Sequence, residues 1–332
     1  MGYLISLILV LWFNMADKNT LAKILLLLAL GLLTNTLLLA QPRFGNEQGA
    51  LTFRSKEMMI NPAYTGSINE ADRRLSLGTA WQWVGMDGAP KAQDVQFQMG
   101  IPNAGGVGAW LYHDSYGVTS IIQLGTTYGY SIRLTNNHNL SLGANLSALM
   151  VNENQIRGID DPSDPIFAAN NPSKWGTNAG FGAMLYSNSY YVGFSMPQLL
   201  TNSWEEDVIE AKLKNKFKFN QLRFYLTGGY VLELPSDFSL IPSILLQFAN
   251  NTNFGYELMV RGDYNKQVAL GIGYGYDKAL KAETSVLISK GIHLGYRYEQ
   301  SFGKTYKNLS SSHSITLSIV WNREQKKNTR LF

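Results

Sequence analysis

The sequence predicts an all-β protein: a transmembrane, antiparallel, up-and-down β-barrel of about 14 strands, preceded by a signal peptide. Three observations predict it. From Arg74 to Asn322 apolar residues alternate with small or polar ones at period two, in segments of roughly ten residues. The connections between these segments alternate between short and long. The first forty residues carry the parts of an export signal.

The export signal is "KNTLAKILLLLALGLLTNTLLLAQ". Lys18 and Lys23 flank the entry to an apolar core, Ile24 to Leu33, and Ala40 precedes Gln41. Leu38, at the −3 place, departs from the small residue usual there. A membrane-spanning helix needs ~20 unbroken apolar residues. Thr34, Asn35 and Thr36 interrupt this run, which favours a cleaved signal over residues 1–40. A further apolar run, Tyr3 to Phe13, lies upstream of Met15, and a start at Met15 gives an ordinary signal. The absence of cysteine removes a lipoprotein anchor, disulfides, thiol nucleophiles and Cys-ligated zinc together.

Residues 41–73 are polar, lack alternation and contain "NPAYTGS"; they read as a periplasmic or lumen-entering segment. The barrel then occupies 74–322 and a short tail 323–332. Within it, "RLSLGTAWQWV" puts Leu75, Leu77, Thr79, Trp81 and Trp83 on one face, with Ser76, Gly78, Ala80 and Gln82 on the other. "QVALGIGYGYD", "GIHLGYRYEQ" and "HSITLSIVW" repeat the pattern. Their apolar faces end in Tyr274 and Tyr276, Tyr296 and Tyr298, and Trp321, as expected where strands reach lipid headgroups.

The strands are expected near 74–84, 91–100, 105–113, 120–134, 139–151, 175–186, 189–197, 221–234, 238–249, 253–264, 267–277, 281–289, 291–299 and 312–322. Connections after the even-numbered strands are brief: "IPNA", "TNNH", "SN", "PSD", "NK" and a turn at Lys290. Several after the odd-numbered strands are long, 152–174, 198–220 and 300–311. Short turns on the periplasmic side and long loops outside are the outer-membrane pattern, and an even strand count puts both termini in the periplasm.

The chain is 332 residues long, 45% hydrophobic and only 16% charged, below the usual share of about 25%. Its net charge of +4 comes from scattered residues, so nucleic-acid binding has no support. Lys212, Lys214, Lys216 and Lys218 read as a solvated loop face. His113, His138, His293 and His313 form no metal or catalytic spacing, and no G-x-S-x-G elbow is present, so no enzyme and no cofactor is expected. The metal candidate is calcium at Asp160, Asp161 and Asp164 in "GIDDPSDP"; the plainer reading is an Asp/Pro turn cluster. Inward faces are expected to be mainly Gly, Ser and Ala, with Arg297 and Glu299 on one strand face and Arg74, Arg133 and Arg261 as candidate neighbours. Structural ion pairing is the plain reading of these charges, a selective channel the sharper one.

The remaining motif is "WQWVGMDGAP": Trp81, Gln82, Trp83, Gly85, Asp87, Gly88, Ala89 and Pro90. With no histidine or second carboxylate placed beside Asp87 it reads as a rim hairpin, Trp81 and Trp83 ending the first strand at headgroup level. Together with the "NPAYTGS" box (Asn61, Pro62, Tyr64, Gly66), "HDSYG" at 113–117, "YGYSIRL" at 128–134, "NLSLGAN", "SLIPSILLQ", "GYRYEQS" and "SSHSITL", it resembles the PorP/SprF family over nearly the whole chain after the signal. Ser314 and Glu299 depart from the family's usual late pattern. The resemblance implies an outer-membrane protein of the type IX secretion and gliding machinery of Bacteroidota. It implies as partners membrane lipids, the C-terminal domain of a secreted adhesin, and other secretion components, including a periplasmic peptidoglycan-associated protein. A passive channel or small-ligand transporter is the alternative.

Overall fold

The computed structural model describes residues 56–68, 72–153, 173–203, 214–216, 222–249, 254–302 and 311–322. Two single-turn helices come first, α1 (Glu57–Ile60) and α2 (Ala63–Gly66). The strands follow: β1 (Asp72–Trp81), β2 (Lys91–Ile101), β3 (Gly105–Tyr116), β4 (Thr119–Arg133), β5 (Asn139–Glu153), β6 (Lys174–Tyr186) and β7 (Tyr190–Met196). A short pair, β8 (Thr201–Ser203) and β9 (Lys214–Lys216), lies within the loop expected at 198–220 and had no signal in the alternation. The wall resumes with β10 (Arg223–Tyr230), β11 (Leu232–Leu234), β12 (Phe238–Ala249), β13 (Gly255–Tyr264), β14 (Val268–Gly275), β15 (Ala279–Ser289), β16 (Ile292–Ser301) and β17 (Ser312–Asn322).

Each wall strand pairs antiparallel with its neighbours in sequence, and β1 pairs with β17 from Asp72↔Asn322 to Trp81↔His313, closing the cylinder. β10 and β11 form one wall strand against β12, which makes the barrel fourteen-stranded. Their break has a local cause. Register continues across it, Gly229↔Ser243 to Leu232↔Leu240, but Pro242 lies opposite and has no N–H to donate. On its other side the chain keeps its ladder to the preceding strand, the Val231 N–H donating to the Ser189 carbonyl at 2.7 Å.

The burial pattern is inverted relative to a soluble β-sandwich. Leu270 and Ile272 are 65% and 67% exposed, and Leu146 67%, whereas their inward neighbour Ala269 is 3% exposed. Inward polar side chains such as Gln96, Asn145, Asp263 and Ser314 are buried. A surface of this kind is stable only against lipid, where apolar contact replaces the water-driven burial that folds soluble proteins. Trp81, Tyr264, Tyr274 and Trp321 face outward at strand ends and Tyr276 just past one, but Tyr296 and Tyr298, expected at an end, lie inside β16 because that strand runs on to Ser301.

The short connections are tight because their residues accept left-handed geometry. At Tyr264–Gln267 the central residues Asn265 and Lys266 have φ of 51° and 54°, and the Gln267 N–H donates to the Tyr264 carbonyl at 3.0 Å. Both central residues at positive φ make a type I′ turn, whose twist matches that of the paired strands.

Candidate functional site: the lumen plug and the rim loop

Residues 56–66 lie inside the barrel, against the arc of wall from β1 to β10. Lys56, Asn61, Ala63 and Thr65 are 0% exposed, and Met58 and Met59 1%. Met58 and Met59 pack with Ala80, Ala92, Trp110 and Tyr112, and Ala63 and Tyr64 with Met184, Tyr186 and Tyr191. The local fold follows from the motif. Asn61 ends α1, its N–H donating to the Glu57 carbonyl at 2.8 Å, and its Oδ1 accepts from the Ala63 N–H at 2.9 Å. This Asx turn leads through Pro62, whose fixed φ of −61° suits entry into a second helical turn.

The wall holds this plug by reading its main chain. Ser195 Oγ donates to the Ile60 carbonyl and Ser141 Oγ to the Ala63 carbonyl, both at 2.7 Å. Asn61 Nδ2 reaches the wall carbonyls of Ala183 and Phe194 at 3.3 and 3.5 Å. Thr65 and Thr127 share a hydroxyl hydrogen bond of 2.7 Å. The Tyr64 hydroxyl donates to Thr227 at 3.5 Å, and its ring meets Tyr191 edge-on at 6.0 Å.

Such close approach needs glycine in the wall. A Cβ on Gly143 would strike the Pro62 main chain, and one on Gly182 would strike the Asn61 amide. Gly106 and Gly129 extend the same track beneath Thr65 and Gly66. The inward glycines, read from sequence as the lining of a lumen, are therefore the bed of a docked chain.

Lys56 forms the other end of the plug. Its Nζ lies 4.2 Å from the centre of the Tyr112 ring, a cation–π contact. Burial pushes its ammonium down to about 8, a shift that the nearby Asp94 and Asp114 carboxylates partly offset. Lys56 Nζ, Asp94 Oδ1, Asp114 Oδ1 and Trp110 Nε1 are all buried without a hydrogen-bond partner among the described residues.

The opposite arc carries its own charges. Glu257 on β13 accepts from Lys281 Nζ on β15 and from Arg297 Nη2 on β16, the latter at 3.0 Å. Glu299 lies 3.7 Å from Lys281 and 3.8 Å from Arg297. Lys281 spans β14 because that strand is glycine on its inner face there: Gly273 pairs with Lys281, and Gly275 with Glu257. The expected neighbours of Arg297 and Glu299 lie elsewhere. Arg74 is 3.8 Å from Glu57 of the plug, Arg261 pairs with Asp263 at 2.7 Å, and Arg133 donates to the Thr135 carbonyl at its turn. The true partners, Glu257 and Lys281, were detectable as charged residues at inward positions of alternating strands.

At the long-loop end, β1 stops at Trp81, earlier than expected. Trp83 has φ of 48°, which takes it out of the strand's alternation, so only Trp81 stands as a strand-end aromatic. The loop is tied at several points. Gln82 N–H donates to the Pro90 carbonyl at 2.9 Å, Met86 N–H to Trp83 and Ala89 N–H to Met86. Gly117 N–H of the β3–β4 turn donates to Gly88 at 2.8 Å, and Val84 N–H to Ser311 at 3.0 Å. Gly85 and Gly88 supply φ of 97° and 71°, which L side chains rarely adopt. Asp87 is exposed at the tip with Val84 and Met86.

Asp160, Asp161 and Asp164 lie outside the described residues. Among the described residues no group of three or more His, Cys, Asp or Glu is placed to hold a metal. The histidines serve local structure: His113 bonds Ser120, His138 bonds Thr135 within its turn, and His313 sits between Tyr296 and Ser311.

Fourteen antiparallel strands closed on themselves, apolar without and polar within, define an outer-membrane β-barrel. Among solved structures, the CymD monoaromatic hydrocarbon channel is similar at a TM-score of 0.50 and 11% identity, covering 82% of this chain and 94% of that one. Omp33 of Acinetobacter baumannii reaches 0.47 at 8%, covering 76% and 98%, and the toluene transporter TodX of P. putida 0.47 at 11%, covering 81% and 94%. At these identities the likeness concerns the fold alone. No curated protein matches the chain. The family model for the type IX secretion system membrane protein PorP/SprF matches residues 50–319, and the chain belongs to that family. This is a family of secretion membrane proteins, and it implies association with other secretion components.

Proposed function

We propose that this protein supports export and surface attachment of large adhesins bearing type IX C-terminal domains, acting as a binding scaffold in the outer membrane. The observation that carries this reading is the use made of the two family boxes. Asn61–Gly66 is buried against the inner wall of the barrel and Trp81–Pro90 builds a tied, partly apolar rim loop. The rim loop, with Val84, Met86 and Asp87 exposed, is the docking edge, and residues 1–40 are the signal that delivers the chain. In this orientation the short turns face the periplasm, where a peptidoglycan-associated component would be met.

Affinity capture of the intact barrel from membranes tests the reading. Recovery of an adhesin C-terminal domain, reduced by substitutions in Val84–Asp87, is the expected result. Capture of neither an adhesin nor another type IX component overturns it. The alternative is a passive channel, a reading that rests on the barrel fold shared with a monoaromatic hydrocarbon channel. A large, constitutive conductance of the purified protein in planar bilayers would favour it.

A further inference from the structure

The plug is held in an unusual way for a segment so deeply buried. The wall closes without it: every wall strand has its two strand neighbours, and β1–β17 and β10–β12 complete the circle. Among the described residues the plug adds no strand to that sheet. Its polar ties run between side chains and main chain, between hydroxyls, and in one ion pair, Glu57 with Arg74 at 3.8 Å. Beneath Asn61–Gly66 lies the glycine track of Gly106, Gly129, Gly143 and Gly182, where the plug's main chain meets bare wall backbone.

The two ends of the plug differ. At the Asn61–Gly66 end the polar groups named above are paired. At the Lys56 end four polar atoms, Lys56 Nζ, Asp94 Oδ1, Asp114 Oδ1 and Trp110 Nε1, are buried without hydrogen bonds among the described residues. The charges on the far arc do not depend on the plug, because Glu257, Lys281, Arg297 and Glu299 pair among themselves. Removal of the plug would strand none of them.

We propose that Lys56–Gly66 is a withdrawable plug. Its release opens a path for small ions and polar solutes along the β2–β7 arc. The inference is independent of the adhesin reading, since it concerns the barrel alone.

The chain has no cysteine, so one engineered pair gives a clean lock. Thr65 and Thr127, whose hydroxyl oxygens are 2.7 Å apart, become Thr65→Cys and Thr127→Cys. The purified full-length protein is measured in planar bilayers with potassium chloride as the probe. The wild-type chain is expected to rest closed and open intermittently. The oxidised pair loses the openings, and reductant restores them. Gly143→Leu, which drives a side chain into Pro62, gives a folded barrel that conducts continuously. A wild-type protein that never opens, or an oxidised pair that opens as the reduced one does, overturns the proposal. The cysteine pair keeps the test decisive if Gly143→Leu fails to fold. In either case adhesin capture is unaffected as a separate assay.

Discussion

Substitution of Glu257 probes how the interior is held, and its magnitude can be worked from the geometry. Its carboxylate is the shared acceptor for Lys281 Nζ and Arg297 Nη2. Those two cations are 8% and 4% exposed, so neither can recover its hydration in place. Glu257→Leu leaves both with Glu299 as the nearest carboxylate, at 3.7 and 3.8 Å, beyond hydrogen-bond length. Breaking a buried pair from one side costs about 3–5 kcal/mol, because the surviving charge is uncompensated. Glu299→Gln removes only those longer contacts and should cost about 1 kcal/mol. Replacing Glu257, Lys281 and Arg297 together by apolar residues should recover most of the loss, as no orphan charge then remains. Urea unfolding in detergent, followed by the mobility difference between folded and unfolded barrel, measures all three. Equal stability of Glu257→Leu and wild type within about 1 kcal/mol would refute the assignment of Glu257 as the network's hub.

Leu270→Arg, placed on the lipid face near mid-strand, should cost about 2–4 kcal/mol in bilayers, while Thr316→Asn on the inner face costs little; refolding titrations into vesicles distinguish them. Asn61→Ala removes ties to Ala63, Ala183 and Phe194 at a fully buried position and should cost about 2 kcal/mol, seen as a lower unfolding midpoint. Lys56 gives a pH dependence. Its folded value, about 8, lies below the unfolded 10.5, so the unfolded chain holds more protons between them. Stability should therefore rise from pH 8 to 10.5 by about 3 kcal/mol, and fall back as pH drops through that window. Lys56→Met should flatten that slope in the same melting experiment.

How much of this was legible in the sequence depends on the range of the interaction. Period-two alternation is local, so fourteen strands could be placed from it, with boundaries off by a few residues. The error at Trp83 is instructive. Alternation continues through it in sequence, but the rim turn needs a left-handed residue there, and hydrophobicity carries no sign of φ. Likewise Pro242 interrupts one ladder without disturbing the pattern on which the strand was recognised.

The plug's contacts lay beyond such reasoning. Asn61 meets Ala183 and Phe194 across 122 and 133 residues, and Ser195 meets Ile60 across 135. A polar run without alternation reads as a periplasmic or lumen-entering segment, and does not choose between the two or name its contacts. The wall glycines have two meanings, an open lining or a close-packed bed, and only a docked main chain selects between them. The sequence by itself determined the barrel, its lipid-facing side and its family, because period and motif order survive without contacts. Tertiary structure decided which segment docks on the inner wall and which charges meet, because closing the cylinder brings distant strands together around it.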